Sequence, residues 1–282
     1  MFEENVITFA KYRWFLASLA EQSVQSLPIK SLLTRPPQTG DLYLKHDVET
    51  RPKLAARMAR IETELGHIAT YYFQGDLLET ANGKTIAREI AELGHEVAYH
   101  FDVLDANDGN WNAAQAEFDR YCAKFAEIDC RVQTICPHGN PTKARDGWKS
   151  NKDFFRAAET RAAYPAILDI VVDFPAIFPT GRYVSDAGRK LRLIEDIAGN
   201  DTSNTAAMGD GVPLSWEDLP ARIGNTDGLV LSLHPHRFAT SAVSLYLQKY
   251  GFKFLKSAYL AVRRIPFVSK LASRFYYLAR RL

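Results

Sequence analysis

Two carboxylates, Asp47 and Glu49, end a short predicted strand with the sequence Lys-His-Asp-Val-Glu. Alternate residues of a strand share one face, so both side chains should point the same way. Two carboxylates on one face repel each other unless a cation or a shared proton offsets the repulsion. The pair therefore indicates a metal or acid–base site. The alternative is a pair of solvated charges bonded to Lys45 or Arg51.

Histidines follow other predicted strands in the same way. Four of them end or follow a strand: His100, His138, His234 and His236. Histidine is a common metal ligand and the usual acid or base near neutral pH. One such histidine is more often structural, but several at one predicted rim, beside two carboxylates, point to a shared site. His67 and His95 follow glycines in helix-to-strand turns, where structural roles are favoured.

Strands and helices alternate along the chain with short turns between them. Strands are predicted over 41–49, 67–75, 95–101, 131–136, 166–173 and 228–234, and helices from Pro52, over 85–93 and over 112–128. This alternation is typical of a parallel sheet with helical crossovers. The spacing favours an incomplete (β/α) barrel, in which the carboxyl ends of the strands, and so the residues above, would lie together. No glycine-rich dinucleotide or phosphate motif occurs.

Composition and charge narrow the class of protein. The chain has 282 residues, of which 46% are hydrophobic and 24% charged, as in globular proteins with a sizeable core. It contains no stretch of 18 apolar residues and does not open with a signal-peptide pattern, so we expect a cytoplasmic protein. The three cysteines, Cys122, Cys130 and Cys136, lack metal-type spacing and are expected to be reduced thiols.

The net charge of +2 hides an uneven distribution. All 33 acidic residues precede Gly228, whereas ten of the 35 basic residues lie within 228–282. Segment 245–282 predicts basic amphipathic helices with Phe and Tyr on the apolar side, which suit an anionic membrane surface or packing against the barrel or a second subunit. We therefore divide the chain into a helical N-terminal extension (1–39), a barrel (40–244) and a basic tail (245–282). A nucleic-acid partner is not expected.

Over about residues 40–240, the ordered motifs KHDVE, GHEVAYHFD, PHGNP, YVSDAG and LSLHPHRF resemble those of the polysaccharide deacetylases (NodB-type, carbohydrate esterase family 4). The resemblance is to a divergent branch with a first motif written His-Asp-Val-Asp. It implies a distorted or partial (β/α) barrel of parallel strands. It also implies removal of N-acyl groups from amino sugars with the help of a divalent metal, commonly zinc.

The resemblance implies roles for the first motif and for the last two. Asp47 is either the base, with Glu49 toward the metal, or a metal ligand, with His46 or Glu49 beside it. Asp47, Glu49 and His234 together are the expected catalytic residues. His234 matches the histidine that the family uses as an acid. Asp186, in YVSDAG, is expected to orient a partner or to bind substrate, and His236 is assigned to substrate binding as well.

The metal motif departs from the family pattern. His100 matches its first histidine, but Leu104 stands at the second position, and leucine cannot coordinate a metal. Asp102 or His138 would have to replace the missing ligand. The expected metal set is therefore Asp47, His100 and His138.

The sequence thus predicts a metal-dependent deacetylase-like hydrolase that acts on an N-acyl sugar, nucleotide- or lipid-linked, in surface-polysaccharide assembly. Peripheral binding at the inner face of the membrane and self-association through the tail are further expectations. Two other functions stay open: a catalytically inactive barrel that binds a glycan, and an amidase that acts on a non-sugar C–N bond.

Overall fold

A mostly parallel sheet forms the centre of the protein. The structure is a computed structural model that describes residues 7–140, 143–186, 190–201 and 211–240. Its strands are β1 (Ser26–Leu27), β2 (Leu42–Val48), β3 (Thr70–Gln74), β4 (Glu96–Phe101), β5 (Thr134–Pro137), β6 (Leu168–Asp169), β7 (Arg182–Ser185), β8 (Arg192–Ile194), β9 (Val212–Pro213) and β10 (Leu229–Leu233).

The strand order is that of an open, partial barrel. The order is β6-β5-β4-β3-β2-β10-β7-β8-β9, and β1 pairs with β2 beside this path. The pairs from β6 to β7 are all parallel, whereas β8 and β9 add an antiparallel extension at one edge. No pairing closes β6 onto β9 among the described residues. The predicted fold class, an α/β protein with a partial barrel of parallel strands, is confirmed.

Helices connect the strands, and most of them cover one face of the sheet. They are α1 (Phe9–Glu21), α2 (Pro52–Glu64), α3 (Ala81–Glu92), α4 (Val103–Ala106), α5 (Trp111–Ala126), α6 (Lys152–Arg156), α7 (Ala158–Ala163), α8 (Phe174–Ile177) and α9 (Leu219–Gly224). Short 3₁₀ turns span Ile29–Leu33, Gly75–Glu79 and Pro235–Arg237. None of the helices in the described ranges meets the length and hydropathy expected of a membrane span.

Both faces of the sheet are buried, and β2 shows how the residues divide between them. All seven of its residues are buried. Leu42 and Leu44 belong to the core that the helices cover, whereas Tyr43 belongs to a second core on the opposite face. Because side chains alternate along a strand, Lys45 and Asp47 share the face of Tyr43. This second face carries the polar groups described below.

Most predicted elements differ from the observed ones at their ends, and two of the differences have a clear local cause. The helix predicted over 85–93 begins earlier, since the Thr80 side chain caps it by accepting a hydrogen bond from the backbone N–H of Gly83. The strand predicted over 166–173 is only two residues long. The Asp169 carboxylate accepts hydrogen bonds from the N–H groups of Val171 and Val172 and thereby turns the chain out of the sheet.

The N-terminal helix α1 packs into the same core as the sheet. Its apolar side is fully or almost fully buried through Phe9, Tyr12, Phe15, Leu16 and Leu19. The division of the chain into segments 1–39, 40–244 and 245–282 stays a prediction. The tail, 245–282, lies outside the described residues.

Candidate active site

The predicted site residues meet at one edge of the sheet. Asp47 lies near the carboxyl end of β2 with Glu49 just beyond it, and His100 lies near the end of β4. The others directly follow a strand: His138 after β5, Asp186 after β7 and His234 after β10. Parallel strands bring their carboxyl ends to the same edge, so residues up to 187 positions apart in sequence become neighbours.

Asp47 is held by a buried lysine. The Lys45 Nζ lies 2.6 Å from Oδ1 and 2.7 Å from Oδ2 of Asp47, and it also donates to Ser232 Oγ at 3.2 Å. Burial by itself would raise the pKa of Asp47, but the Lys45 ammonium outweighs it and holds that pKa far below the usual range. Asp47 is therefore a carboxylate at any physiological pH. The alternative interpretation is correct in that Asp47 bonds to Lys45, but these charges are not solvated, because both side chains are buried.

His234 is oriented by Asp186. Asp186 Oδ1 lies 2.6 Å from His234 Nδ1, and Oδ2 accepts a hydrogen bond from the His234 backbone N–H at 2.9 Å. Arg237 donates to the same carboxylate at 2.8 Å. Although burial acts against the charged form, His234 and Arg237 lower the pKa of Asp186 to about 2. An ionised carboxylate can only accept, so Nδ1 of His234 carries a hydrogen.

The other ring nitrogen of His234 faces the two carboxylates of the first motif. Nε2 lies 3.7 Å from Asp47 Oδ2 and 3.6 Å from Glu49 Oε1. Because Nδ1 is committed to Asp186, Nε2 is the nitrogen that can exchange a proton with a bound molecule. The arrangement is that of an oriented imidazole next to a carboxylate, as general acid–base chemistry requires.

Glu49, His100 and His138 form a group of ligand atoms. These three residues are buried and offer atoms that lie within 4.8 Å of one another. Glu49 Oε1 is 3.9 Å from His100 Nε2 and 3.6 Å from His138 Nε2. Two imidazoles and one carboxylate are a ligand set typical of catalytic zinc sites.

The hydrogen bonds of His100 fit a metal ligand. Its Nδ1 lies 3.0 Å from the Cys136 carbonyl oxygen, which can only accept, so Nδ1 carries the hydrogen. Its Nε2 is buried and makes no hydrogen bond among the described residues. Metal-binding histidines usually donate their second N–H to a carbonyl or carboxylate, which fixes the ring and the tautomer. The residues present therefore fit a divalent cation.

Asp47, His100 and Cys136 form a second group that shares His100 with the first. A cation at this deeper group would lie beside the Lys45 ammonium, which already occupies both oxygens of Asp47. Like charges repel strongly where water is excluded. The geometry therefore favours Glu49 over Asp47 as the carboxylate ligand, and Asp47 as a ligand stays a prediction.

The structure distinguishes between residues that the sequence offers as alternatives for the same role. His46 points to the helix-covered face of the sheet, where its Nε2 lies 2.8 Å from the buried Glu62, so it does not stand beside Asp47. Leu104 is buried in the core. Asp102 belongs to neither ligand group among the described residues, whereas His138 joins His100 at a ring-centroid distance of 5.2 Å. His138 is therefore the better replacement for the missing histidine.

The two residues assigned to substrate binding have different surroundings. Asp186 is fully buried and its contacts orient His234, so of its two expected roles the geometry supports the positioning role. The ring of His236 packs edge-on against that of His234, 5.7 Å away between centroids. Burial lowers the pKa of His236 to about 3, which leaves it neutral. Its part in substrate binding stays a prediction.

Sequence reasoning did not assign Lys45 or Cys136 to the site. The sequence indicates Lys45 only as a solvated partner of the carboxylates. Its position two residues before Asp47 nevertheless places both side chains on the same face of β2. Cys136 pairs in register with His100 across β4 and β5, so both side chains lie on one face. A strand register is needed to see that proximity, and the spacing of cysteines along the chain does not supply it. His67 and His95 bond to backbone groups, as structural histidines do.

Comparison with known proteins gives matches among solved structures only. No protein-family model matches the chain, and no curated protein matches its sequence. A Streptococcus mutans family 4 carbohydrate esterase has 14% identity and a TM-score of 0.43, with 83% of this chain and 89% of that chain covered. The catalytic domain of a peptidoglycan N-acetylglucosamine deacetylase from Eubacterium rectale has 16% identity and a TM-score of 0.41, with 75% and 82% covered.

A third similar structure is a family 4 carbohydrate esterase from Streptomyces lividans in complex with acetate. It has 16% identity and a TM-score of 0.40, with 73% of this chain and 83% of that chain covered. Similarities at this level do not show that this chain shares an activity or a residue's role with those proteins. An assignment of function rests on the chemistry of the site.

Proposed function

We propose that this protein is a metal-dependent, deacetylase-like hydrolase that removes an N-acyl group from an amino sugar during surface-polysaccharide biosynthesis. One observation carries the proposal. His234, oriented by Asp186, faces the carboxylates of Asp47 and Glu49 at 3.6–3.7 Å, and Glu49 also faces His100 and His138. Hydrolysis of an amide needs a base for water, an acid for the leaving amine and a polarised carbonyl, and this group of residues can provide for each.

Asp47 is the carboxylate that we assign as base, because Lys45 keeps it ionised and fixed in position next to His234, although the same ammonium makes it a weaker base than a free carboxylate. His234 suits the role of acid, since Asp186 fixes its ring and leaves Nε2 facing the reaction space. The two groups are neighbours, with His234 Nε2 3.7 Å from Asp47 Oδ2, so Asp47 could take a proton from water while His234 gives one to the nitrogen of the same scissile amide. Such positioned groups each contribute about 10²- to 10⁴-fold to a rate.

Glu49, His100 and His138 are the residues that would hold the metal, and zinc suits two imidazoles with one carboxylate. A bound divalent cation polarises a carbonyl and lowers the pKa of water. His100 is prepared for this role by the Cys136 carbonyl, which fixes its ring. With three protein ligands, coordination positions would remain for water and substrate.

The choice of an N-acyl amino sugar rests on the motif resemblance over residues 40–240. We place the substrate among nucleotide- or lipid-linked building blocks because we propose a cytoplasmic location.

Acetate release from a panel of N-acetylated sugars, their nucleotide-linked forms and simple non-sugar amides tests the proposal. The zinc-loaded full-length protein should release acetate from at least one sugar. Asp47→Asn should lose most of that activity, since it keeps the shape but not the charge. Glu96→Gln is the matched control, because Glu96 is also buried in the sheet but lies at the opposite end of β4.

Each alternative has its own result in this experiment. Hydrolysis of only the non-sugar amides would favour the amidase. Sugar binding without acetate release, in a protein that carries metal, would favour the inactive glycan-binding protein. A wild-type protein that neither binds zinc nor releases acetate would contradict the proposed function.

A further inference from the structure

The backbone of His138, the second histidine of the proposed metal site, is held by a hydrogen-bond network outside that site. Both main-chain groups of His138 are committed: its N–H donates to the Phe101 carbonyl at 2.7 Å, and its C=O accepts from Asn151 Nδ2 at 2.9 Å. Phe101 ends β4, the strand that carries His100. The backbone position of His138 is thus tied to the strand of its partner histidine.

The Asn151 amide has no freedom to turn. Its Oδ1 accepts from the Asp105 backbone N–H at 3.0 Å, and Nδ2 donates to Asp105 Oδ2 at 3.0 Å as well as to the His138 carbonyl. Both amide hydrogens are therefore in use, and a flipped amide would place donor against donor. Asn151 and Asp105 are both buried, so water cannot replace these bonds cheaply.

The Asp105 carboxylate is the centre of the network. Oδ1 accepts from Arg145 Nε and Trp148 Nε1, both at 2.8 Å, and Oδ2 accepts from Arg145 Nη2 at 2.7 Å and from Asn151. Arg145 Nη2 also donates to the Asn140 carbonyl at 2.9 Å. One carboxylate therefore fixes, through two intermediaries, the carbonyls of both His138 and Asn140.

Local sequence makes this arrangement possible. The short helix α4 turns Leu104 into the core and leaves Asp105 to meet the loop that follows β5. Gly109 has a φ of +77°, and a Cβ there would lie 2.5 Å from the Trp148 ring, so glycine is needed for the indole to reach Asp105. Leu104 thus stands where the family pattern has a second histidine. The next residue, Asp105, reaches the backbone of His138 through Asn151.

We infer that Asp105 and Asn151 are positioning residues that hold His138 in register with His100 for metal binding. The presence of a metal in this inference rests on the proposed function. The hydrogen-bond network does not, since its contacts are seen in the structure. Partners outside the ligand shell typically change metal affinity 10- to 100-fold when they are removed. The cause here is the loss of a fixed backbone, since neither residue touches the ligand atoms.

Two measurements on the full chain test the inference. In metal-free protein, hydrogen exchange of the peptide that carries His138 and Asn140 should become at least about tenfold faster in Asp105→Asn, since an opened network exposes the His138 N–H. Zinc affinity, from competition with a chelator, should fall about 10- to 100-fold. Asn151→Ser, which removes the amide that makes all three of these hydrogen bonds, should act in the same direction if Asp105→Asn does not fold.

A double variant separates positioning from general stability. His138→Ala removes the ligand, so adding Asp105→Asn to it should cost no further zinc affinity, whereas a merely structural role would give additive losses. Glu96→Gln is the matched control, because Glu96 is a buried carboxylate with three hydrogen-bond donors that does not contact His138. It should change neither exchange of the His138 peptide nor affinity.

The results distinguish the inference from the proposed function. Unchanged exchange of the His138 peptide in both Asp105→Asn and Asn151→Ser would overturn the positioning role. Additive zinc losses in the double variant would overturn it as well. A wild-type chain that binds no zinc would overturn the metal-dependent function, and exchange would still decide whether Asp105 and Asn151 hold His138.

Discussion

The Lys45 ammonium bonds to both oxygens of Asp47, at 2.6 and 2.7 Å, in a part of the sheet from which water is excluded. Removing one partner of such a pair leaves a buried charge without compensation, which costs about 3–5 kcal/mol. We expect Lys45→Met to lower the free energy of unfolding by that amount. Urea unfolding of the metal-free protein measures it.

The matched control for Lys45 is Lys11→Met, which breaks the exposed ion pair between Lys11 and Glu217. Exposed pairs contribute about 0–1 kcal/mol, so this variant should unfold almost like the wild type. Adding Asp47→Asn to Lys45→Met should recover part of the lost stability, because the orphaned charge is gone. Equal losses in the two lysine variants would show that the Lys45–Asp47 pair is solvated.

Replacement of His234 by alanine should lower kcat by about 10²- to 10⁴-fold on any substrate found, the usual contribution of a positioned acid. Asp186→Asn should also lower kcat, since it keeps the shape but loses the charge that fixes the Nδ1–H tautomer. The two losses should not add in the double variant, because Asp186 acts through His234. Steady-state kinetics of the wild type, the two single variants and the double variant measure these losses in kcat. Additive losses would show that Asp186 has a role separate from His234.

Zinc binding should release protons near neutral pH. Burial opposes the charged form of His100, but the carboxylate of Asp47 outweighs it and raises the pKa of His100 well above its usual range. A ligating imidazole must be deprotonated, so affinity should fall as pH decreases, and the fall should begin at a higher pH than for an imidazole with an ordinary pKa. Calorimetry in buffers of different ionisation enthalpy counts the released protons.

His100→Ala is the control for this proton release, since it should bind zinc more weakly and release fewer protons. His67→Gln should bind zinc like the wild type, because His67 precedes the amino end of β3 and bonds to the Leu16 carbonyl. Wild-type binding without any proton release at pH 7 would contradict the assignment of His100.

Asp169 should make the protein less stable as pH rises. Burial raises its pKa to about 7, and Oδ2 has no hydrogen-bond partner among the described residues. The unfolded chain releases this proton near pH 4 while the folded protein retains it, so stability falls between about pH 4 and 7, by on the order of 4 kcal/mol at most. Asp169→Asn keeps the acceptor for Val171 and Val172 but cannot ionise.

The difference in stability between Asp169→Asn and the wild type should therefore grow from pH 4 to pH 7 in favour of the variant. Urea unfolding at several pH values measures it, and the exposed Asp146→Asn is the control for a surface aspartate. A difference that stays constant with pH would mean that Asp169 is ionised in the folded protein.

The basic tail gives a prediction that rests on sequence alone. Segment 245–282 carries nine basic and no acidic residues, and each basic residue near an anionic surface contributes about 1 kcal/mol. We expect the full chain to bind vesicles that contain anionic lipid, less strongly as salt increases, and a chain that ends near Lys249 not to bind. Co-sedimentation tests this, and equal binding of both chains would contradict it.

The sequence by itself determined the order of the elements and the edge at which the polar residues meet. Alternation of apolar strands with helical patterns specifies a parallel sheet, and every parallel strand then delivers its carboxyl end to the same side. This is why Asp47, Glu49, His100, His138 and His234 could be grouped without a structure. The alternation of side chains along a strand also predicted that Asp47 and Glu49 share one face.

Only the tertiary structure decided which of these groups contact one another. The Lys45 contact with Asp47, the turn of His46 toward Glu62 and the support of His138 by Asp105 through Asn151 depend on register and burial. Distances of a few ångströms between residues far apart in sequence are set by how strands and loops pack, and a hydrogen bond forms or fails within about half an ångström. Charge and spacing along the chain contain no such distances, so the sequence left open whether Asp47 or Glu49 faces the metal, and the packed Lys45 ammonium favours Glu49.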